Sequence, residues 1–247
     1  MDKEYVKSFS SRSAYNYYLS SIEAKTEQQK LLERQLLSCY SKTSSLNICD
    51  LCCGGGSVSF HLAELFVKWN FELLDLSETA KDIVSNLPRP LHFTQGSAYH
   101  TPYQTGFFDI VICWNTLLHL ESPALMFQEA SRILKPSGIL IVSTLANLYH
   151  DTDIIAKVID YADQSHIDQF GYPREYIRNT YSIRSIQTFM GNEFVLNKAE
   201  RFDIQKPLHP QPIGIGTYTV PIADSQFLQV SGGYLMNWAY LEFLKQS

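Results

Sequence analysis

The 247 residues carry 20 Lys and Arg against 25 Asp and Glu, a net charge of −5, and 45% of them are hydrophobic. That length and apolar content suit one α/β domain with a small insert and exclude a disordered chain. The acid excess, with no basic block, disfavours a nucleic-acid partner, because neutralising phosphates takes clustered Lys and Arg.

The polar start MDKEYVKSF reads as no signal peptide, and no apolar run approaches membrane-spanning length. The expectation is a cytoplasmic protein with no membrane partner. Five cysteines (Cys39, Cys49, Cys52, Cys53, Cys113) form neither paired CxxC elements nor a Cys/His ladder. They read as small buried hydrophobes in a reducing compartment, and no metal is expected.

Residues 1–44 read as an N-terminal helical cover, ahead of a domain over 45–247. Ser11 to Ser21 carries Tyr15, Tyr17 and Tyr18, and Ile22 to Tyr40 has an apolar set at Leu31, Leu32, Leu36 and Leu37. From Leu46 to Asp75 the chain reads strand, glycine turn, helix, strand, acid. Leu46, Ile48 and Leu51 make the first strand, and Gly54 to Gly56 break it. Val58, Leu62, Leu65 and Phe66 fall on one helical face, with Ser57 as its cap. Phe71 to Leu74 is apolar again and ends in Asp75, about 20 residues past the turn, where an acid takes ribose hydroxyls. Such a turn presents bare backbone and a helix N-terminus to a ligand. Ser59 stands where a dinucleotide fingerprint needs its third glycine, and no Lys follows the glycines as a phosphate loop requires.

Asp50-Leu51-Cys52-Cys53-Gly54-Gly55-Gly56 resembles motif I of the class I S-adenosylmethionine methyltransferases, Asp-x-Gly-x-Gly-x-Gly, with Cys52 in place of the first glycine. Further stretches resemble the same family in the same order. Ser77 to Leu87 is a helix stopped by Pro88 and Pro90, Leu91 to Gln95 a third strand, and Gly96-Ser97-Ala98 its exit. Ser97 stands where the family commonly has an acid for the adenine amino group. Phe108-Asp109-Ile110-Val111-Ile112 resembles the fourth strand, Cys113-Trp114-Asn115 its exit, and Leu117-Leu118-His119-Leu120 the helical segment after it. Pro123 to Leu134 leads into Leu134-Lys135-Pro136-Ser137-Gly138, which resembles the family's Leu-Lys-Pro-Gly-Gly turn with a serine for the first glycine. Ile139 to Thr144 is the fifth strand.

Residues 146–181 leave this alternation. Asp151 to Gln164 is amphipathic, and the stretch after it is aromatic and polar, so the segment reads as a cap over the pocket mouth. Ser182 to Phe189 reads as a helix, Asn192 to Ile204 as the sixth strand, Thr217 to Val230 as a hairpin around Ala223-Asp224-Ser225, and Tyr234 to Leu244 as an antiparallel seventh.

The resemblance implies a doubly wound, mostly parallel seven-stranded α/β sheet that binds S-adenosylmethionine through Asp50, Cys53, Gly54, Gly56, Asp75, Leu76, Ser97, Ala98, Cys113 and Trp114. It implies methyl transfer to a small-molecule acceptor at O, N or C by a monomer or homodimer, with release of S-adenosylhomocysteine. Tyr15, Tyr18, Asn115, His150, Tyr172 and Tyr181 are the candidates to touch the acceptor. His119 is the candidate base, with His150, His166, Tyr172 and Tyr181 as competitors, needed where the acceptor carries a proton it does not lose unaided. A catalytically silent cofactor-binding module or partner subunit is the alternative, and an RNA or protein methyltransferase is disfavoured by the acidic balance.

Overall fold

The computed structural model describes residues 12–160, 174–203, 217–223, 226–231 and 234–246. Strand β1 (Asn47–Leu51) lies between β2 (Asn70–Asp75) and β4 (Phe108–Trp114), parallel to both. β3 (His92–Gln95) extends the sheet on one side and β5 (Leu134–Asn147) on the other. β13 (Trp238–Lys245) then runs antiparallel between β5 and β9 (Phe194–Phe202), so the order is β3-β2-β1-β4-β5-β13-β9. The two-residue β8 (Tyr181–Ser182) pairs with the end of β5 and makes the eighth strand. From β1 the chain winds one way through β2 and β3, then the other way through β4 and β5. In such sheets the crevice for a ligand opens beyond the carboxyl ends of the two strands at that switch.

The pleat divides the core into two layers. Ile48, Ile110, Ile112 and Ile141 face one cluster with Leu31, Leu32 and Leu36 of α2 (Glu27–Cys39) and Val58 and Leu62 of α3 (Ser57–Leu65). Cys49, Leu51, Val111, Cys113, Leu140 and Val142 face another with α5 (Pro123–Ile133) and α6 (Ile183–Met190). Before α2 comes α1 (Arg12–Glu23), and α4 (Glu78–Ser85) links β2 to β3. Thr26 separates α1 from α2: its hydroxyl accepts from Gln29 N while the Gln29 side chain accepts from Thr26 N, a reciprocal N-terminal cap. The N-terminal segment thus forms two helices, with the break after Glu23 rather than before Ile22.

Two further expectations change, and the insert takes a form its pattern left open. Gly56, in the left-handed conformation, caps α3 in place of Ser57, whose hydroxyl instead accepts from Gln29 Nε2. The insert after β5 is extended where it is described. Ile154 bridges Thr180, and β6 (Lys157–Asp160) pairs antiparallel with β7 (Arg174–Ile177). Its apolar doublets, Ile154-Ile155 and Val158-Ile159, are β-branched and satisfy a strand as readily as a helix. The expected hairpin exists as β10 (Thr217–Ala223) and β11 (Gln226–Ser231), but β12 (Tyr234–Leu235) joins it in a separate three-stranded sheet and leaves only β13 in the main one.

Candidate cofactor and acceptor site

The turn after β1 is held by the strand beside it. Cys53 N donates to Leu74 O at 3.0 Å, Gly54 N to Asp75 Oδ2 at 2.9 Å, and Ser77 N to Asp75 Oδ1 at 2.9 Å. One carboxylate thus ties the glycine turn to the start of α4, and each oxygen keeps a lone pair for a further donor. Burial raises the Asp75 pKa above the ordinary carboxylate value, against the pull of the bonds from Ser77 and Gly54.

The three glycines face different ways. A Cβ on Gly54 or Gly55 would stand 2.8 or 2.6 Å from the Tyr18 side chain of α1, so the absent side chains are what let the cover approach the turn. A Cβ on Gly56, at φ 73°, would meet Leu73 and Val84 at 2.8 and 3.0 Å. Gly56 therefore serves the packing of helix on strand, and Gly54 and Gly55 face the Tyr18 side chain of the cover. Cys52 has φ 59°, a glycine's backbone under a cysteine.

Beyond β1 and β4 lie buried polar atoms with no hydrogen-bond partner among the described residues: Asp50 Oδ1, Trp114 Nε1 and Gln28 Nε2. The other Asp50 oxygen accepts from Ser59 Oγ at 2.7 Å. Burial pushes the Asp50 pKa up to about 7, opposed by Ser59 and assisted by the charge of Asp75. Thr116 Oγ1 reaches the carbonyls of Trp114 at 3.1 Å and Cys52 at 3.4 Å, bridging the two strand exits. Asn115, at φ 57°, is anchored on both sides. Its Nδ2 donates to Gln28 Oε1 at 2.8 Å, and its Oδ1 accepts from Ser143 Oγ at 2.6 Å.

After the exit of β4, His119 Nδ1 donates to Ile177 O at 2.6 Å, and Leu118 O accepts from Asn179 N at 2.8 Å. A carbonyl only accepts, so the neutral ring carries its proton on Nδ1 and its basic lone pair on Nε2. The exit of the fourth strand and the insert after the fifth are therefore in contact, through His119.

The remaining candidates divide. Gly54, Asp75 and Tyr18 meet at the glycine turn. Cys53 and Leu76 are half-buried beside it. Ser97 Oγ accepts from Tyr99 N at 3.2 Å, in the turn after β3. Ala98 and Cys113 are core residues. Burial raises the Cys113 pKa to about 12 and those of Cys52 and Cys53 well above the ordinary thiol value, which keeps all three protonated. Tyr181 is buried edge-to-face on Phe189, and its hydroxyl accepts from Asn179 Nδ2 at 2.7 Å. Asn115 is spent on Gln28 and Ser143 rather than left open. His150 is exposed. Tyr172 and the side chain of Tyr15 lie outside the described residues. Gln28, Gln29, Ser59 and Thr116 escaped the sequence reading. The signal for the two glutamines was their phase, since Gln28 and Leu32 share the buried face of α2 at a spacing of i, i+4.

Among the described residues no helix is long and apolar enough to cross a membrane, and no group of three His, Cys, Asp or Glu residues could hold a metal ion.

Residues 49–142 match the family model described as "Methyltransferase domain". The chain is similar to a demethylmenaquinone methyltransferase of Lactobacillus johnsonii, with 33% identity over 97 residues, 36% of this chain and 39% of that protein. It is similar to a ubiquinone biosynthesis O-methyltransferase of Colwellia psychrerythraea, with 30% identity over 105 residues, 40% and 42% of the two chains. The chain thus spans less than half the length of these curated relatives. A solved SAM-dependent methyltransferase from Methanosarcina mazei shares the fold, with a TM-score of 0.57 at 13% identity over 86% of this chain and 97% of that one.

Proposed function

We propose that this chain, whose residues 49–142 are a methyltransferase domain of the class that uses S-adenosylmethionine, methylates a small-molecule acceptor and releases S-adenosylhomocysteine. The observation that carries the reading is the glycine turn, locked by the Asp75 carboxylate at the switch point of the sheet and bare of side chains at Gly54 and Gly55, where Tyr18 of α1 lies over it. The residues present fit the cofactor. Asp75 keeps acceptor capacity for two ribose hydroxyls, the turn after β1 offers the backbone, and buried unpaired polar atoms wait at the strand exits.

When bound, S-adenosylmethionine supplies a methyl group already activated on a sulfonium. What remains for the protein is to align the acceptor with that methyl and to exclude water. α1, α2 and the described parts of the insert, residues 148–160 and 174–180, supply the enclosure. His119 suits an acceptor with an acidic proton, such as a phenol, because the bond to Ile177 O leaves Nε2 as the basic nitrogen. The names of the relatives, a demethylmenaquinone methyltransferase and a ubiquinone biosynthesis O-methyltransferase, support a quinone-related acceptor.

The test is turnover. Purified protein with S-adenosylmethionine and a panel of phenols and hydroquinones is expected to release S-adenosylhomocysteine in proportion to acceptor methylated. Tight binding of the cofactor with no product from any acceptor class would instead make the chain a silent binding module.

A further inference from the structure

We propose that Gln28, in the first turn of α2, recognises the amino-acid end of the cofactor, with its side-chain Nε2 donating to the carboxylate. The assignment rests on the reading of the glycine turn as an S-adenosylmethionine site and names a residue outside the matched domain of 49–142.

The argument starts from the pleat. Ile48, Ile110 and Ile112 point into the layer that holds Leu31, Leu32 and Leu36 of α2, and Trp114 packs against the same cluster. Asp50 is two residues after Ile48, and Trp114 two after Ile112, so both side chains leave the sheet on the α2 face. Asp50 pairs in register with Ile112, which puts both at the carboxyl end of the switch. The Gln28 amide is fixed at the same exit, because its Oε1 accepts from Asn115 Nδ2 at 2.8 Å. Gln28 is only 8% exposed, and its Nε2 has no partner among the described residues. Next to it, Gln29 Nε2 donates to Ser57 Oγ at 2.8 Å. The first turn of α2 therefore spans the gap between the start of α3 and the exit of β4.

The charges there are complementary to one kind of ligand. Gln28 Nε2 and Trp114 Nε1 are donors only, and the N-terminus of a 13-residue helix adds positive potential. Asp50 Oδ1 is an acceptor with no donor. Donors beside a helix N-terminus suit an anion, and a lone carboxylate oxygen across from them suits a cation. An α-amino acid carries both, one carbon apart. The methionyl end is the only part of S-adenosylmethionine with a negative charge. A neutral amide meets that carboxylate with a directed bond and without burying a second cation beside the sulfonium.

Calorimetry with two ligands tests this. S-adenosylhomocysteine carries the amino-acid end, whereas 5′-methylthioadenosine keeps the adenine, ribose and sulfur and lacks it. Gln28→Leu is expected to weaken S-adenosylhomocysteine on the order of 10- to 100-fold, the worth of one hydrogen bond to a charged group. It should leave 5′-methylthioadenosine within about twofold, which also reports that the variant is folded. Gln28→Glu should weaken the first ligand further by repulsion and again spare the second. Equal losses for both ligands would make Gln28 a structural residue, and loss of neither would remove it from the site; either result overturns the assignment while the cofactor reading stands. Retained affinity for S-adenosylhomocysteine with a raised KM for a carboxylated acceptor would hand the seat to the acceptor and overturn it too. A wild-type protein that binds neither ligand overturns the cofactor reading, and the assignment with it.

Discussion

Two regions of this molecule are built on different principles. From β1 to β5 each functional turn is bound into the sheet by backbone and carboxylate bonds: Cys53 to Leu74, Gly54 and Ser77 to Asp75, Asn115 to Ser143. The insert over 148–180 and the sheet β10–β11–β12 stand outside the main sheet and form sheets of their own. Among the described residues, the bonds that tie the insert to the segment after β4 include His119 to Ile177 and Leu118 to Asn179. Tyr149 and Ile155, 76% and 70% exposed, lie on the insert. On the proposed reading, the first region serves a ligand common to a whole class of enzymes, so its turns follow a shared pattern, whereas the second serves one acceptor and has no shared pattern to follow.

If that division holds, the cofactor region should carry a cost that only its ligand removes, and Asp50 is where to look. Its pKa is about 7 in the fold against about 3.9 in an unfolded chain. Between those values the native state binds more protons than the unfolded one, so this group's contribution to stability is fully present below about pH 4 and lost as pH rises to about 7. The full loss is on the order of 4 kcal/mol. Urea denaturation of the ligand-free wild type is expected to show it, with Asp50→Asn flat over the same window once other groups are subtracted. An identical pH dependence in the two proteins would mean that Asp50 is ionised without penalty.

Asp75 and His119 separate the regions directly. Asp75→Ala removes a charged acceptor that also braces the turn, worth about 1.5–3 kcal/mol per bond, so cofactor affinity should fall by about 10²-fold or more and turnover with it. His119→Ala should slow transfer by about 10²-fold while cofactor affinity is kept. The two regions would not be separable if His119→Ala weakened the cofactor as much as Asp75→Ala does, and an Asp75 variant with unchanged affinity would move the ribose elsewhere.

The same contrast governs how much was legible in the sequence. The order of strand, glycine turn, acid and fourth-strand exit could be read because each residue acts where its own backbone is fixed by local pattern. Gln28 could not, because a glutamine on an amphipathic helix acquires its meaning only when α2 is set against Asn115 and Ser57. The form of the insert was not legible for a different reason. Doublets such as Ile154-Ile155 and Val158-Ile159 fit either period, and the strand pairing of Lys157–Asp160 with Arg174–Ile177 is non-local. Tyr181 shows the limit of residue type: an aromatic with a hydroxyl suits a pocket and a core equally, and here it is in the core.

The smallest effect lies at the two places where the chain departs from the glycines of the family pattern. Cys52 has φ 59° and Ser137 has φ 61°, so both keep the backbone of the residue they replace. An L-residue in the left-handed region costs about 1–2 kcal/mol, offset in part by the 0.5–1 kcal/mol that a glycine loses in freedom on folding, roughly. Ser137 is exposed in the turn before Gly138, so removing its side chain forfeits little burial. Ser137→Gly is therefore expected to stabilise the protein by about 0.5–1 kcal/mol in thermal or chemical unfolding, with cofactor affinity unchanged. Cys52 packs against the core, so its backbone term is isolated by comparing two truncations. Cys52→Gly should be about 1 kcal/mol more stable than Cys52→Ala, since both delete the thiol and only the alanine keeps the strain. Equal stability of those two variants would show that the turn relaxes around an L-residue, and would make the first glycine of the motif dispensable for the backbone in this chain.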